Sequence, residues 1–108
     1  MIIKIWKEQD LEQVKELPKQ VKEAIKENVQ ILAEEYAEER SEKDLGGFVA
    51  LVNEEGLIEL KENLLKYTVP EYIDNIKGVD YISALFLCGS DFAVVVICDK
   101  KLIKIVEE

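Results

Sequence analysis

Two cysteines, a serine–aspartate pair and a run of carboxylates are the side chains of this sequence with the means to do chemistry. Cys88 is followed by Gly89-Ser90-Asp91, a grouping that would suit a nucleophilic loop if a base stood nearby. The chain contains no histidine. Ser–His and Cys–His nucleophiles, the usual zinc sites and the ordinary near-neutral pH switch are thereby removed. No basic cluster flanks Cys88 to depress its thiol pKa, so Ser90 and Asp91 read as turn residues. A turn beside Cys88 puts Cys98 at the far end of the next strand. At about 3.3 Å per residue, that separation exceeds the roughly 7 Å between Cα atoms that a disulfide tolerates. Both cysteines lie in apolar company, where an unpaired thiol behaves as a small hydrophobe. The glycines match no phosphate-binding spacing, and Asn53, Asp80, Asp91 and Asp99 fall at predicted strand ends without building a calcium loop. The residues therefore predict no catalytic, cofactor or metal site, and a protein that is not an enzyme.

The carboxylates are more informative. From Glu34 to Asp44 the chain places six acids, Glu34, Glu35, Glu38, Glu39, Glu42 and Asp44, against Arg40 and Lys43. The segment falls at the predicted C-terminal end of a long helix, whose partial negative charge makes each acid unfavourable by about a few tenths of a kcal/mol. Breaks of local preference are enriched at functional sites. A predicted hairpin after the helix returns Glu59 and Glu62 to the same end. These eight acids form the candidate protein-binding surface, and its expected partner is a protein with a basic face.

The elements that must position them follow from periodicity. Ile2, Ile3, Ile5 and Trp6 form a short apolar segment suited to an edge strand, and Asp10 can cap a helical turn over Leu11, Val14 and Leu17. Pro18 suits a helix start. Beyond it, Val21, Ile25, Val29, Leu32 and Tyr36 recur at intervals of three and four, one face of an α-helix. Gly46 and Gly47 end it. Phe48–Val52 and Leu57–Leu60, joined by Asn53-Glu54-Glu55-Gly56, predict a β-hairpin. Pro70 opens an expected short helix through Ile76. Tyr81–Cys88, Phe92–Cys98 and Leu102–Val106 predict a strand meander. The fold class is therefore α+β in a single domain, residues 1–108. A long N-terminal helix packs on an antiparallel sheet of about five strands, with one short second helix. Continuous apolar runs in the last strands require cover on both faces. A second subunit is one source of that cover, with Phe86, Val94 and Val96 near the seam.

The balance of 23 acidic and 14 basic residues, a formal charge of −9, opposes direct nucleic-acid binding and anionic membranes. With 48% hydrophobic residues the chain can build a core. No stretch approaches the roughly 20 apolar residues of a membrane span, and the opening segment lacks a signal-peptide pattern. A cytoplasmic location is expected.

Trp6-Lys7-Glu8-Gln9-Asp10-Leu11, Asp44-Leu45-Gly46-Gly47-Phe48, Val69-Pro70-Glu71-Tyr72-Ile73 and Ser83-Ala84-Leu85-Phe86-Leu87 together resemble small uncharacterised proteins of phages and mobile elements of Gram-positive bacteria. The resemblance carries no active residues with it. It implies an accessory protein that acts by binding another protein, as an inhibitor or nucleic-acid mimic. The alternative is a structural homodimerisation module whose acidity is incidental.

Overall fold

A computed structural model describes residues 1–36, 47–89 and 92–108, with Tyr36 described in its backbone alone. Strand β1 (Ile2–Ile5) and a 3-10 turn (Glu8–Gln13) precede helix α1 (Lys19–Tyr36). The Asp10 carboxylate fixes that turn by accepting from the backbone N–H groups of Trp6 and Lys7. Pro18 stands just ahead of α1, and its carbonyl accepts from Val21 and Lys22. There its missing N–H leaves no ladder bond unmade. The predicted stripe is the buried face: Val21, Ile25, Val29 and Leu32 are all in the core. The long helix is therefore present, but it is not the N-terminal element.

Strand β2 (Gly47–Val52) follows, buried along its whole length. The expected second arm of a hairpin is instead helix α2 (Glu54–Glu62). Asn53 caps it, with its side chain accepting from Gly56 N–H at 2.9 Å. Glu54 and Glu55 in the first turn and Lys61 in the last both suit the helix dipole. Leu57 and Leu60 supply its buried face, and Leu65 just beyond the helix joins the same core. Four apolar-rich residues fit either period, and the cap decides for the helix.

Two further elements exchange type. The segment after Pro70 is strand β3 (Tyr72–Ile76), not a helix, and it pairs antiparallel with β4 (Tyr81–Leu87). The turn between them closes with Val79 N–H on Ile76 carbonyl, and Gly78 takes the left-handed φ of +88° at its third position. This geometry requires φ > 0 there, which favours glycine. Strand β5 (Ala93–Asp99) pairs antiparallel with β4 as expected. After it, Leu102–Val106 is not a strand: a 3-10 turn (Lys100–Leu102) leads into helix α3 (Ile103–Glu107). The Asp99 carboxylate accepts from Lys101 N–H at 2.9 Å and opens that turn.

The sheet runs β1-β2-β5-β4-β3. Since β2 and β5 are parallel while the other pairs are antiparallel, the sheet is mixed and not antiparallel. The element order consequently departs from the expected helix, hairpin, helix and meander. Alternation along β2 and β5 sends side chains into two cores. Val49, Leu51, Val95 and Ile97 meet α1, while Phe48, Ala50, Val94, Val96 and Cys98 meet α2 and α3. Helices of the same chain thus bury the β5 run on both faces, while β4 keeps Tyr81 and Leu85 half-buried and Leu87 exposed on the α1 face. Phe86, Val94 and Val96, the expected dimer seam, are fully buried beneath α2 and α3 and cannot form one. No helix among the described residues is long and apolar enough to cross a membrane.

Candidate functional site

Helix α1 lies over one face of the sheet, and its flank meets edge strand β3. A groove of about 390 Å³ runs between them. Glu23, Glu27 and Ile31 line it from the helix, Tyr72 and Asp74 from the strand, and Ser83 from neighbouring β4. On the helix, Glu27 lies four residues before Ile31, and Glu34 and Glu35 three and four residues after it, so all three acids flank Ile31 on one stripe. Ile31 is 50% exposed and Tyr72 42%, both large apolar surfaces in contact with solvent. On the strand, Tyr72, Asp74 and Ile76 alternate toward the α1 face, whereas Ile73 joins the core under α2.

The electrostatics of the groove are set by exposure. Glu23, Glu27, Glu34, Glu35 and Asp74 all stand in solvent. Among the described residues one ion pair forms, Lys19–Glu23 at 3.9 Å, with both side chains largely exposed. Such a pair contributes little. Partial burial, and then the nearby Asp74 carboxylate, push the Tyr72 phenol above its ordinary 10.0. Ser83 is the one buried polar or charged residue among those described, at 8% exposure, and its hydroxyl makes no hydrogen bond to another described residue. A buried polar group without a partner is costly, so an outside partner for it would be gained at little expense.

Of the eight acids chosen from sequence, the four that are described stand on two helices that pack on opposite faces of the sheet. Glu34 and Glu35 are exposed on α1; Glu59 and Glu62 are exposed on α2, packed against the opposite sheet face. The hairpin that was to carry Glu59 and Glu62 beside the α1 end does not exist, because that segment is helical. Glu38, Glu39, Glu42 and Asp44 lie outside the described residues, as do Ser90 and Asp91. Sequence reasoning missed Ser83, Tyr72, Asp74 and Glu27. A serine inside the apolar run of β4 was the available signal for the first.

Both thiols are free. Burial raises the Cys88 pKa, and burial followed by the Asp99 charge pushes Cys98 up to about 12. Neither is a thiolate nucleophile near neutral pH. Among the described residues no three His, Cys, Asp or Glu side chains converge to hold a metal. The carboxyl ends of parallel β2 and β5, a common ligand crevice in such sheets, border a shallow cavity of about 420 Å³ lined by Met1, Val52, Asn53, Asp99 and Lys101, and at α2 the chain packs closely on itself. A Cβ on Gly56 would meet the Met1 carbonyl oxygen at 1.9 Å. Compared with known proteins, the chain matches no family model, no curated protein and no solved structure.

Proposed function

We propose that this chain is a non-enzymatic acidic docking protein that receives the basic surface of a partner protein on the outer stripe of α1 and the adjoining groove. The observation that carries it is the juxtaposition, in one groove, of exposed Ile31 and Tyr72 with the exposed carboxylates of Glu23, Glu27 and Asp74. Exposed apolar surface rimmed by charge marks interaction sites. Apolar contact supplies affinity, while the acidic excess that remains after Lys19 pairs with Glu23 and Lys77 joins the lining speeds encounter and selects the sign of the partner. Glu34 and Glu35 extend the same stripe, and Glu38, Glu39, Glu42 and Asp44 continue it in sequence. Within the resemblance to phage and mobile-element proteins, such a role is that of an inhibitor or nucleic-acid mimic. The homodimer alternative lacks the seam expected for it, since Phe86, Val94 and Val96 are buried beneath α2 and α3.

Affinity capture paired with thermal melting tests this. A triple variant Glu27→Lys, Glu34→Lys, Glu35→Lys alters exposed positions only, so its melting should match that of the unmodified protein. It should lose the partner, and capture by the unmodified protein should fade as salt rises toward about 0.5 M, where the Debye length shrinks to a few ångströms. A variant that melts normally and captures the same partner refutes the proposal.

A further inference from the structure

We infer that the partner docks by strand addition: an extended segment with alternating cationic and apolar side chains pairs with β3 as a sixth strand. This deepens the acidic-docking reading and rests on it. Among the described residues, strand β3 ends the sheet order and has β4 as its one neighbour. In an antiparallel pair, alternate residues direct N–H and C=O away from the neighbour. The outer side of Tyr72–Ile76 is therefore a row of donors and acceptors open to another strand.

The chemistry of the occupant follows from what lies over that edge. Side chains of an added strand that point toward α1 enter the groove, where Tyr72 and Ile31 offer apolar surface and Asp74, Glu27 and Glu23 offer negative charge. A Lys or Arg reaching over the edge meets Asp74 first. Ser83 lies directly across the β3–β4 pair from Asp74, and its buried, unpartnered hydroxyl is free to accept from the incoming cation. Carboxylate and hydroxyl together hold an ammonium or guanidinium that has left part of its water. Neither the edge nor the acids alone specify this occupant; the buried hydroxyl behind Asp74 connects them.

The same arrangement disfavours a second copy as occupant. Two β3 edges paired antiparallel about their centres would set Asp74 against Asp74, and like charges directly opposite are destabilising. Edge charges are a common guard against self-pairing.

The test uses the whole chain and short synthetic peptides of about seven residues, alternating Lys and Val. Comparison peptides replace Lys by Glu, or carry N-methyl groups on one or the other alternate set of amides. Binding is read by titration, with backbone amide shifts to locate it. The Lys–Val peptide should shift the amides of β3, the Glu–Val peptide should not bind, and one N-methylated set should weaken binding at least about tenfold by removing the pairing donors. Asp74→Lys should weaken binding about tenfold or more. Ser83→Ala should weaken it a few-fold while raising the melting temperature, a split that a merely structural serine would not give. Equal binding of both N-methylated peptides overturns strand addition but leaves the acidic-docking reading standing. Loss of the salt dependence as well would sink both. No binding by the Lys–Val peptide at millimolar concentration overturns the inference, as does self-association that protects the β3 amides.

Discussion

Alkaline solution should destabilise this protein in part through one buried thiol. Cys98 lies on β5 opposite Ile82, fully buried in the core that α2 and α3 cover. Burial and the Asp99 charge lift its pKa from 9.0 to about 12 in the folded chain. Below pH 9 both states keep the proton, and the full stability is present. Above it the unfolded chain ionises while the folded chain does not, so stability falls by about 1.4 kcal/mol per pH unit until the folded pKa is reached. By pH 10.5 the loss from this residue is about 2 kcal/mol, a large part of the margin of a small domain. The measurement is a difference, so that changes common to both proteins cancel. Urea unfolding is followed at pH 8 and pH 10.5 for the unmodified protein and for Cys98→Ala. The variant is less stable by about 1–2 kcal/mol at pH 8 from the missing sulfur, and that deficit should vanish or reverse at pH 10.5, because its pH dependence is shallower by about 2 kcal/mol. Equal pH dependence, within about 0.5 kcal/mol, would refute the burial of this thiol and with it the packing of α3 over β5.

Further outcomes follow from single residues. Gly47 opens β2 at φ +135°, and a Cβ there would lie 2.1 Å from the Ala93 carbonyl oxygen, so Gly47→Ala should cost about 3 kcal/mol or more in urea unfolding. Asn53→Ala removes the α2 cap and should cost about 1 kcal/mol, while Asn53→Asp should recover most of it. Tyr67 holds a φ of +71° with its side chain 94% exposed, so Tyr67→Gly should raise stability by about 0.5–1 kcal/mol in the same measurement. Denatured thiol counting without reductant should return two per chain, and the native protein should react slowly at Cys88 and not at Cys98 at pH 8.

The sequence by itself determined the elements whose periodicity is long. The α1 stripe from Val21 to Leu32 repeats over three turns, enough for only one period to fit. The runs in β4 and β5 carry too many branched and aromatic residues for a short helix and too few polar ones for a solvent face. From them followed the α+β class, the free thiols at opposite ends of one hairpin, and the need for cover on both sheet faces. What the sequence left open lay in short segments. Leu57–Leu60, Tyr72–Ile76 and Leu102–Val106 are four or five residues each, a length over which periods of two and 3.6 both find matches. Their state was decided by what lay beside them: the Asn53 cap, the β4 edge, and the Asp99 turn. Tertiary structure alone decided that β2 pairs parallel with β5 across some forty residues of intervening chain, since no local signal encodes a partner so remote. That pairing makes the sheet mixed, sends α1 to one face and α2 with α3 to the other, and leaves β3 as an open edge. The groove exists only because of it: Glu27 and Ile31 are some fifty residues from Asp74 and Ser83 in the chain, and the fold brings their side chains together around one cleft.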